Sequence, residues 1–251
     1  MINWFQDKMT FFPAKDITLT PKDFDVPFED VFLKTQDQQT IHGWFLKTSD
    51  QAPTLLFFHG NAGNLSNRSE NVALLQKEVG VNILIIDYRG YGKSSGKPSE
   101  KGMYIDAETA YQELTQNRGI DPKKIIIFGR SLGAGVAGFL ASQVKQGKVI
   151  LEAPFTNTRD MAYEVTPFFL IPRIMENRFD NKTYMKNLMI PKMVIHGNQD
   201  AVVPFYMGKE LFELMTHPKR FYIIDGADHH DTYIVGGKTY WENLKNFIIE
   251  N

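Results

Sequence analysis

The sequence contains no cysteine. Disulfides, thiolate catalysis and cysteine-ligated zinc sites are therefore excluded. The net charge of −1 at neutral pH gives no reason to expect a nucleic acid or another polyanion as a partner. The six histidines are scattered rather than clustered, and nothing in the sequence implies a metal or another cofactor.

Long apolar runs are also missing. No stretch approaches the roughly 18 apolar residues that span a bilayer, and the N-terminus lacks the basic start and apolar centre of a signal peptide. Residues 1–13 are rich in aromatic side chains, so peripheral membrane contact through the N-terminus is one alternative. We favour packing of Phe11 and Phe12 against the domain edge, because no basic face accompanies them. We expect a cytoplasmic protein, or a membrane-associated one if an N-terminal anchor has been removed.

Short apolar, β-branched runs alternate with helical patterns along the chain, which predicts a mostly parallel sheet with helices on both faces. Four central runs are apolar without alternation, as in strands buried on both faces. We predict a single domain over residues 1–251. The predicted strands are 30–35, 40–47, 54–58, 82–87, 124–128, 148–151, 192–196 and 220–225, and the predicted helices are 69–79, 103–117, 132–146, 208–215 and 238–249.

One region interrupts this alternation. Residues 154–191 contain no clear strand, and we predict that they form a small lid inserted over the top of the sheet. The apolar side chains of Phe168, Phe169 and Ile171 fall in this lid, so we expect them to contact an apolar acyl or alkyl group of a substrate. Asp180 is the predicted cap of the last helix in the insertion.

A Gly-x-Ser-x-Gly motif is the strongest chemical signal in the chain. The run Gly129-Arg130-Ser131-Leu132-Gly133 follows a predicted strand directly and opens a predicted helix. A serine on such a sharp strand-to-helix turn has an exposed hydroxyl, and the turn needs glycines where the backbones approach closely. Ser131 is therefore the predicted nucleophile. The backbone N–H of Leu132 is one predicted donor to an oxyanion.

A serine nucleophile needs a neighbouring base and usually an acid. Loops after two later predicted strands supply both: Asp200 follows strand 192–196, and the pair His229 and His230 follows strand 220–225. The carboxyl ends of parallel strands meet at one edge of a sheet, so we expect these loops to lie near Ser131. Three other carboxylates also lie at or near strand ends: Glu152, Asp225 and Asp228.

These segments together resemble the α/β-hydrolase family of serine hydrolases, in the small-lid branch of membrane-linked hydrolases and protein depalmitoylase-like enzymes. The resemblance covers the chain from about Phe11 to the C-terminus. Five segments carry it: His59-Gly60-Asn61-Ala62-Gly63-Asn64, the loop from Asp87 to Ser94, Gly129-Arg130-Ser131-Leu132-Gly133, His196-Gly197 with Asp200 and Pro204, and His229 with Asp231-Thr232.

The resemblance implies an α/β-hydrolase fold with an eight-stranded, mostly parallel sheet and a triad of Ser131, His229 and Asp200. His230 stands where the family pattern has asparagine, which assigns the base to His229. The family pattern also favours Asp200 over the other acids and implies the backbone N–H of Asn61 as the second oxyanion donor.

The implied activity is hydrolysis of carboxylic esters or thioesters through an acyl-enzyme intermediate. The substrate would be a small-molecule or lipid-like acyl compound. Two other functions stay open: a peptidase or amidase with the same triad, and a catalytically silent binding module on the hydrolase scaffold.

Overall fold

The computed structural model describes residues 10–165 and 178–250. Phe168, Phe169 and Ile171 lie outside these residues, so the lid and its substrate contacts stay predictions. The strands are β1 (Phe12–Pro13), β2 (Glu29–Lys34), β3 (Thr40–Leu46), β4 (Thr54–Phe58), β5 (Ala62–Gly63), β6 (Asn82–Ile86), β7 (Ile125–Arg130), β8 (Lys148–Glu152), β9 (Lys192–Gly197) and β10 (Lys219–Ile224).

Eight of these strands form one sheet in the order β10-β9-β8-β7-β4-β6-β3-β2. The hairpin strands β2 and β3 are antiparallel, and β3 is also antiparallel to β6. The remaining neighbours in this sheet all pair in parallel. The predicted fold class is therefore confirmed, and the eight strands lie where the apolar runs predicted them.

The central strands are buried on both faces. Every residue of β4 and β6 is buried. Along β4, Leu55 and Phe57 contribute to one hydrophobic core, whereas Leu56 and Phe58 contribute to the other. Because successive side chains of a strand point to opposite faces, a strand between two cores is apolar at every position.

Helices cover both faces of the sheet. They are α1 (Ser69–Leu74), α2 (Glu100–Gln112), α3 (Leu132–Val144), α4 (Thr158–Val165), α5 (Asn181–Lys186), α6 (Phe205–Leu214) and α7 (Thr232–Ile249). Five-residue π-helical segments extend α1 and α2, to Val79 and Asn117. Asp180 caps α5 as predicted, because its side chain accepts a hydrogen bond from the backbone N–H of Thr183 at 3.3 Å.

The last helical element consists of two segments joined at a kink, and its second segment is the helix that the sequence pattern predicts. The element α7 spans Thr232–Ile249, but Gly237 interrupts it, and the predicted helix 238–249 is the segment that follows this interruption. Gly237 has φ 50° and ψ −137°, outside the helical region, so two helical segments meet there at a kink. Glycine is a poor helix former, and the Gly236-Gly237 pair therefore reads as a break in the sequence.

The N-terminal part of the described chain lies against the loop that follows β4. Strand β1 pairs in parallel with β5 of that loop, in a second, two-stranded sheet. Phe11 is buried, as predicted, and its ring meets the ring of Phe179 edge-on at 6.3 Å. Phe12 was expected to pack in the same way but is 52% exposed. No helix in the described parts of the chain has the length and apolarity needed to cross a bilayer.

Candidate active site

Ser131 lies on a tight turn between β7 and α3. Its backbone has φ 54° and ψ −118°, in the left-handed region that a side chain rarely adopts. A Cβ atom on Gly129 would lie 2.2 Å from the carbonyl oxygen of Gly133, and one on Gly133 would lie 2.0 Å from that of Phe58. Both glycines are therefore required for the turn to close, and the turn presents the Ser131 hydroxyl at the edge of the sheet.

The structure brings Ser131, His229 and Asp200 together in one line of hydrogen bonds. The Nε2 atom of His229 lies 3.0 Å from Ser131 Oγ, and its Nδ1 atom lies 2.8 Å from Asp200 Oδ2. His229 and Asp200 are buried, at 4% and 8% exposure, and Ser131 is half-buried. In this geometry the imidazole can accept the hydroxyl proton while the carboxylate orients the ring.

Asp200 is held by four groups. Its Oδ1 atom accepts backbone hydrogen bonds from Val202 and Val203 at 2.9 and 2.7 Å. Its Oδ2 atom faces His229 and also lies 3.2 Å from Nε2 of His196. Burial raises the pKa of Asp200, but the contacts with His196, His229 and Val203 outweigh it and hold that pKa well below its usual range. The acid is therefore ionised at neutral pH.

His196 is a part of the site that the sequence did not reveal. Its ring is fully buried, and Nε2 lies 3.0 Å from the carbonyl oxygen of Val203 as well as near Asp200. The ring thus braces the loop that carries the acid. The four-residue spacing from His196 to Asp200 within the family motif was the available signal for this contact.

The three competing carboxylates have other partners. Glu152 accepts hydrogen bonds from the hydroxyls of Thr232 and Tyr240, the latter at 2.7 Å. Asp225 accepts one from the Asn198 side chain at 2.7 Å. Asp228 binds the backbone N–H groups of Ala201 and His229, both within 2.8 Å. None of the three bonds the imidazole of His229 within the part of the chain that the structure describes.

His230 lies next to this line of hydrogen bonds without joining it. It is exposed, and its ring packs edge-on against the ring of His229, with centroids 4.9 Å apart. Partial burial and then the neighbouring His229, Arg130 and Arg68 lower the pKa of His230. The imidazole of His230 is therefore neutral at pH 7.

The loop after β4 is fixed through its carbonyl groups. Donors from elsewhere in the chain bind four of these carbonyl oxygens. The hydroxyls of Tyr88 and Tyr91 donate to the carbonyl oxygens of His59 and Asn61, at 2.8 and 2.7 Å, and Nη2 of Arg68 donates to that of Ala62 at 2.9 Å. The backbone N–H groups of Phe12 and Ala14 donate to the carbonyl oxygens of Asn61 and Gly63, at 3.1 and 3.0 Å. The peptide planes of the loop are consequently held in one orientation. Leu132 is the first residue of α3, so its N–H has no acceptor within that helix. The N–H of Asn61 donates to no backbone group among residues 10–165 and 178–250.

Arg130 connects the serine turn to the histidine loop. Its guanidinium donates to the carbonyl oxygen of His229 at 2.7 Å and lies 3.6 Å from the carboxylate of Glu152. The backbone N–H of Ser131 donates to the carbonyl oxygen of the same Glu152 at 2.9 Å. The bond from Arg130 to His229 depends on a long-range approach of the two loops that the sequence does not show.

Comparison with known proteins identifies the family. The family model described as "alpha/beta hydrolase fold" matches residues 53–165. The chain is 35% identical to human alpha/beta hydrolase domain-containing protein 17B, over 86% of this chain and 73% of that protein. It is 33% identical to protein bem46 of Schizosaccharomyces pombe, over 92% of this chain and 80% of that protein.

Solved structures share the fold. The esterase Pf2001 of Pyrococcus furiosus superposes with a TM-score of 0.78 at 23% identity, covering 94% of this chain and 98% of that one. At this identity the likeness concerns the fold alone. With relatives more than 30% identical over most of their length, the chain belongs to the α/β-hydrolase family.

Proposed function

We propose that this protein is a serine hydrolase that cleaves carboxylic esters or thioesters with an apolar acyl or alkyl group. The observation that carries the proposal is the continuous line from Ser131 Oγ through His229 to Asp200, at 3.0 and 2.8 Å. The proposal agrees with the membership of the chain in the α/β-hydrolase family.

In the first half of the reaction, Ser131 Oγ attacks the acyl carbonyl carbon while Nε2 of His229 accepts its proton. The negative charge that develops on the carbonyl oxygen is stabilised by the N–H groups of Asn61 and Leu132. His229 then gives the proton to the departing alcohol or thiol, and an acyl ester remains on Ser131. Asp200 stays ionised throughout and stabilises the imidazolium form of His229.

In the second half, a water molecule takes the place of the leaving group. His229 accepts a proton from this water, whose oxygen attacks the acyl carbonyl carbon, and the same two N–H groups bind the oxyanion again. Collapse of this intermediate returns the proton from His229 to Ser131 Oγ and releases the carboxylic acid. The half-buried position of Ser131 leaves its hydroxyl open to both the substrate and the water.

A fluorophosphonate probe tests the proposal, because it reacts only with an activated serine. We expect wild type to be labelled and Ser131→Ala to be unlabelled. Ser142→Ala is the matched control: this serine lies in α3, the helix that follows Ser131, and its hydroxyl bonds the carbonyl oxygen of Phe139. Labelling of Ser131→Ala, or a folded wild type that stays unlabelled, would overturn the proposal.

The substrate class needs a separate measurement. We expect hydrolysis of p-nitrophenyl esters and of acyl thioesters of graded chain length, with kcat/KM rising as the acyl chain lengthens. Peptide and amide substrates should be cleaved much more slowly. A rate on amides that equals the rate on esters would contradict the proposed ester and thioester preference.

A further inference from the structure

Arg68 places a guanidinium group beside the serine turn. It ends the short 3₁₀ turn Leu65–Arg68, which follows the loop that carries Asn61. A Cβ atom on Gly60 would lie 3.5 Å from Ser131 Cβ and 3.9 Å from Arg68 Nη2. Because Gly60 has no side chain, the space between the arginine and the serine that such a Cβ atom would occupy is not filled by that residue.

The charge of Arg68 has no acidic partner among residues 10–165 and 178–250. No carboxylate oxygen of these residues lies within 4 Å of its guanidinium, which donates to the backbone oxygens of Ala62 and, at 3.5 Å, Asn67. Its Nε atom is buried and has no hydrogen-bond partner within the same ranges. Burial and the neighbouring Arg130 lower the pKa of Arg68 to about 10, so the group is still a cation at neutral pH.

Other arginines of the fold are neutralised. Arg89 binds the buried Asp106 at 2.8 Å and Asp37 at 2.7 Å, and Arg130 lies 3.6 Å from Glu152. Removing a cation from water without a counter-charge costs free energy. An unpaired guanidinium next to a reactive serine is therefore best explained by an anion that binds there.

The surroundings of Arg68 also suit a polar ligand. His230, whose pKa is lowered partly by Arg68, supplies a neutral imidazole on the same side of the site. Tyr233 supplies a half-buried hydroxyl, which lies 3.4 Å from the carboxylate of Glu70. This side of the site differs in character from the apolar lid predicted for residues 154–191.

We propose that Arg68 binds an anionic group, a carboxylate or a phosphate, that the substrate carries close to its scissile carbonyl. The planar guanidinium matches either anion with two parallel N–H donors. This inference rests on the proposed function, because it takes Ser131 as the nucleophile. It adds that the preferred ester or thioester is charged, either on its acyl side or on its leaving group.

Two substrate pairs test the inference and separate the two positions of the anion. Mono-p-nitrophenyl glutarate against p-nitrophenyl pentanoate tests a carboxylate on the acyl side. The butyryl thioester of 3-mercaptopropionate against the butyryl thioester of methyl 3-mercaptopropionate tests an anion on the leaving group, close to the scissile carbonyl. In at least one pair, we expect wild type to show the higher kcat/KM on the anionic member.

The variants are Arg68→Gln, Arg68→Lys and the control Arg220→Gln, which removes a charge at the exposed pair with Glu250. Arg68→Gln should lower the anionic-to-neutral ratio of kcat/KM by about tenfold or more, the size of one charge-assisted hydrogen bond. Arg68→Lys should have an anionic-to-neutral ratio between those of Arg68→Gln and wild type, and Arg220→Gln should have the ratio of wild type. The ratio is decisive because the loss of the bond to Ala62 would slow both members of a pair equally.

The inference is overturned if wild type shows no preference for the anionic member of either pair, or if Arg68→Gln leaves the ratio unchanged. These outcomes differ from a failure of the proposed function. If the proposed function itself were wrong, wild type would hydrolyse none of the four substrates and would not react with the fluorophosphonate probe.

Discussion

At the scale of single residues, Asp200 uses its two oxygens for different contacts. Oδ1 is bound by the N–H groups of Val202 and Val203, which fix the plane of the carboxylate. Oδ2 faces Nδ1 of His229 at 2.8 Å and therefore selects the tautomer that carries its proton on Nδ1. Nε2 is then left with a lone pair toward Ser131 Oγ, as a general base requires.

The two adjacent histidines should differ sharply in their effect on activity. His229→Ala removes the group that contacts both Ser131 and Asp200, so we expect kcat on a p-nitrophenyl ester to fall by about 10⁴-fold or more. His230→Ala removes only an edge-on ring contact and should keep most of the activity. Steady-state kinetics of the two purified variants checks this. A larger loss in His230→Ala than in His229→Ala would reverse the assignment of the base.

At the scale of elements, the loop after β4 is supported by segments that are distant in sequence. The N–H of Phe12, from β1, and the hydroxyl of Tyr91, from the loop after β6, both bind the carbonyl oxygen of Asn61. The Asn61 carbonyl fixes the orientation of the peptide that follows it and restrains the residue whose N–H is the proposed oxyanion donor. Catalysis by such a donor depends on its position before the reaction begins.

Removing the Tyr91 hydroxyl should therefore slow the chemical step. Tyr91→Phe keeps the buried ring and loses one hydrogen bond, worth about 0.5–1.5 kcal/mol, so we expect kcat to fall by up to about tenfold with KM little changed. Tyr111→Phe is the control, because Tyr111 is a half-buried tyrosine of α2. An increase in KM with unchanged kcat would show that Tyr91 acts on substrate binding instead.

The sequence predicts elements well where the pattern is local. Strands such as β4 and β6 are continuous apolar runs, and the turn at Ser131 has its glycines in a fixed motif. Strand β1 could not be predicted, because it has only two residues and exists through its pairing with β5. The Gly236-Gly237 pair is another local signal: the backbone leaves the helical conformation at Gly237, and the predicted helix 238–249 follows it, whereas the short helical segment from Thr232 was not predicted.

At the scale of the whole molecule, the parallel sheet explains why the candidate site is assembled from distant parts of the chain. Ser131, Asp200 and His229 follow β7, β9 and β10, whose carboxyl ends lie at one edge of the sheet. The loop positions could therefore be predicted from strand order alone. The contacts between the loops could not, because bonds such as Arg130 to His229 depend on how far each loop bends after its strand.

The stability of the whole protein should also report the charge on Asp200. The pKa of this carboxyl in the folded protein lies well below the value of about 3.9 expected in the unfolded chain. As the pH falls, the unfolded chain therefore binds a proton first, and the stabilisation present at neutral pH is lost as the pH falls from about 5 toward the folded-state pKa. Asp200→Asn lacks this contribution.

We expect Asp200→Asn to have a lower free energy of unfolding than wild type at pH 7. Between pH values of about 5 and 3, its free energy of unfolding should fall by less than that of wild type. Urea unfolding at a series of pH values measures both quantities. Other carboxylates with lowered pKa, such as Asp37 at about 2, contribute equally to both proteins and cancel in the comparison. Asp225→Asn, at an exposed loop position, is the control, and its free energy of unfolding should change with pH as it does in wild type. If the free energy of unfolding of Asp200→Asn changed with pH as it does in wild type, Asp200 would not be the ionised acid that its hydrogen bonds indicate.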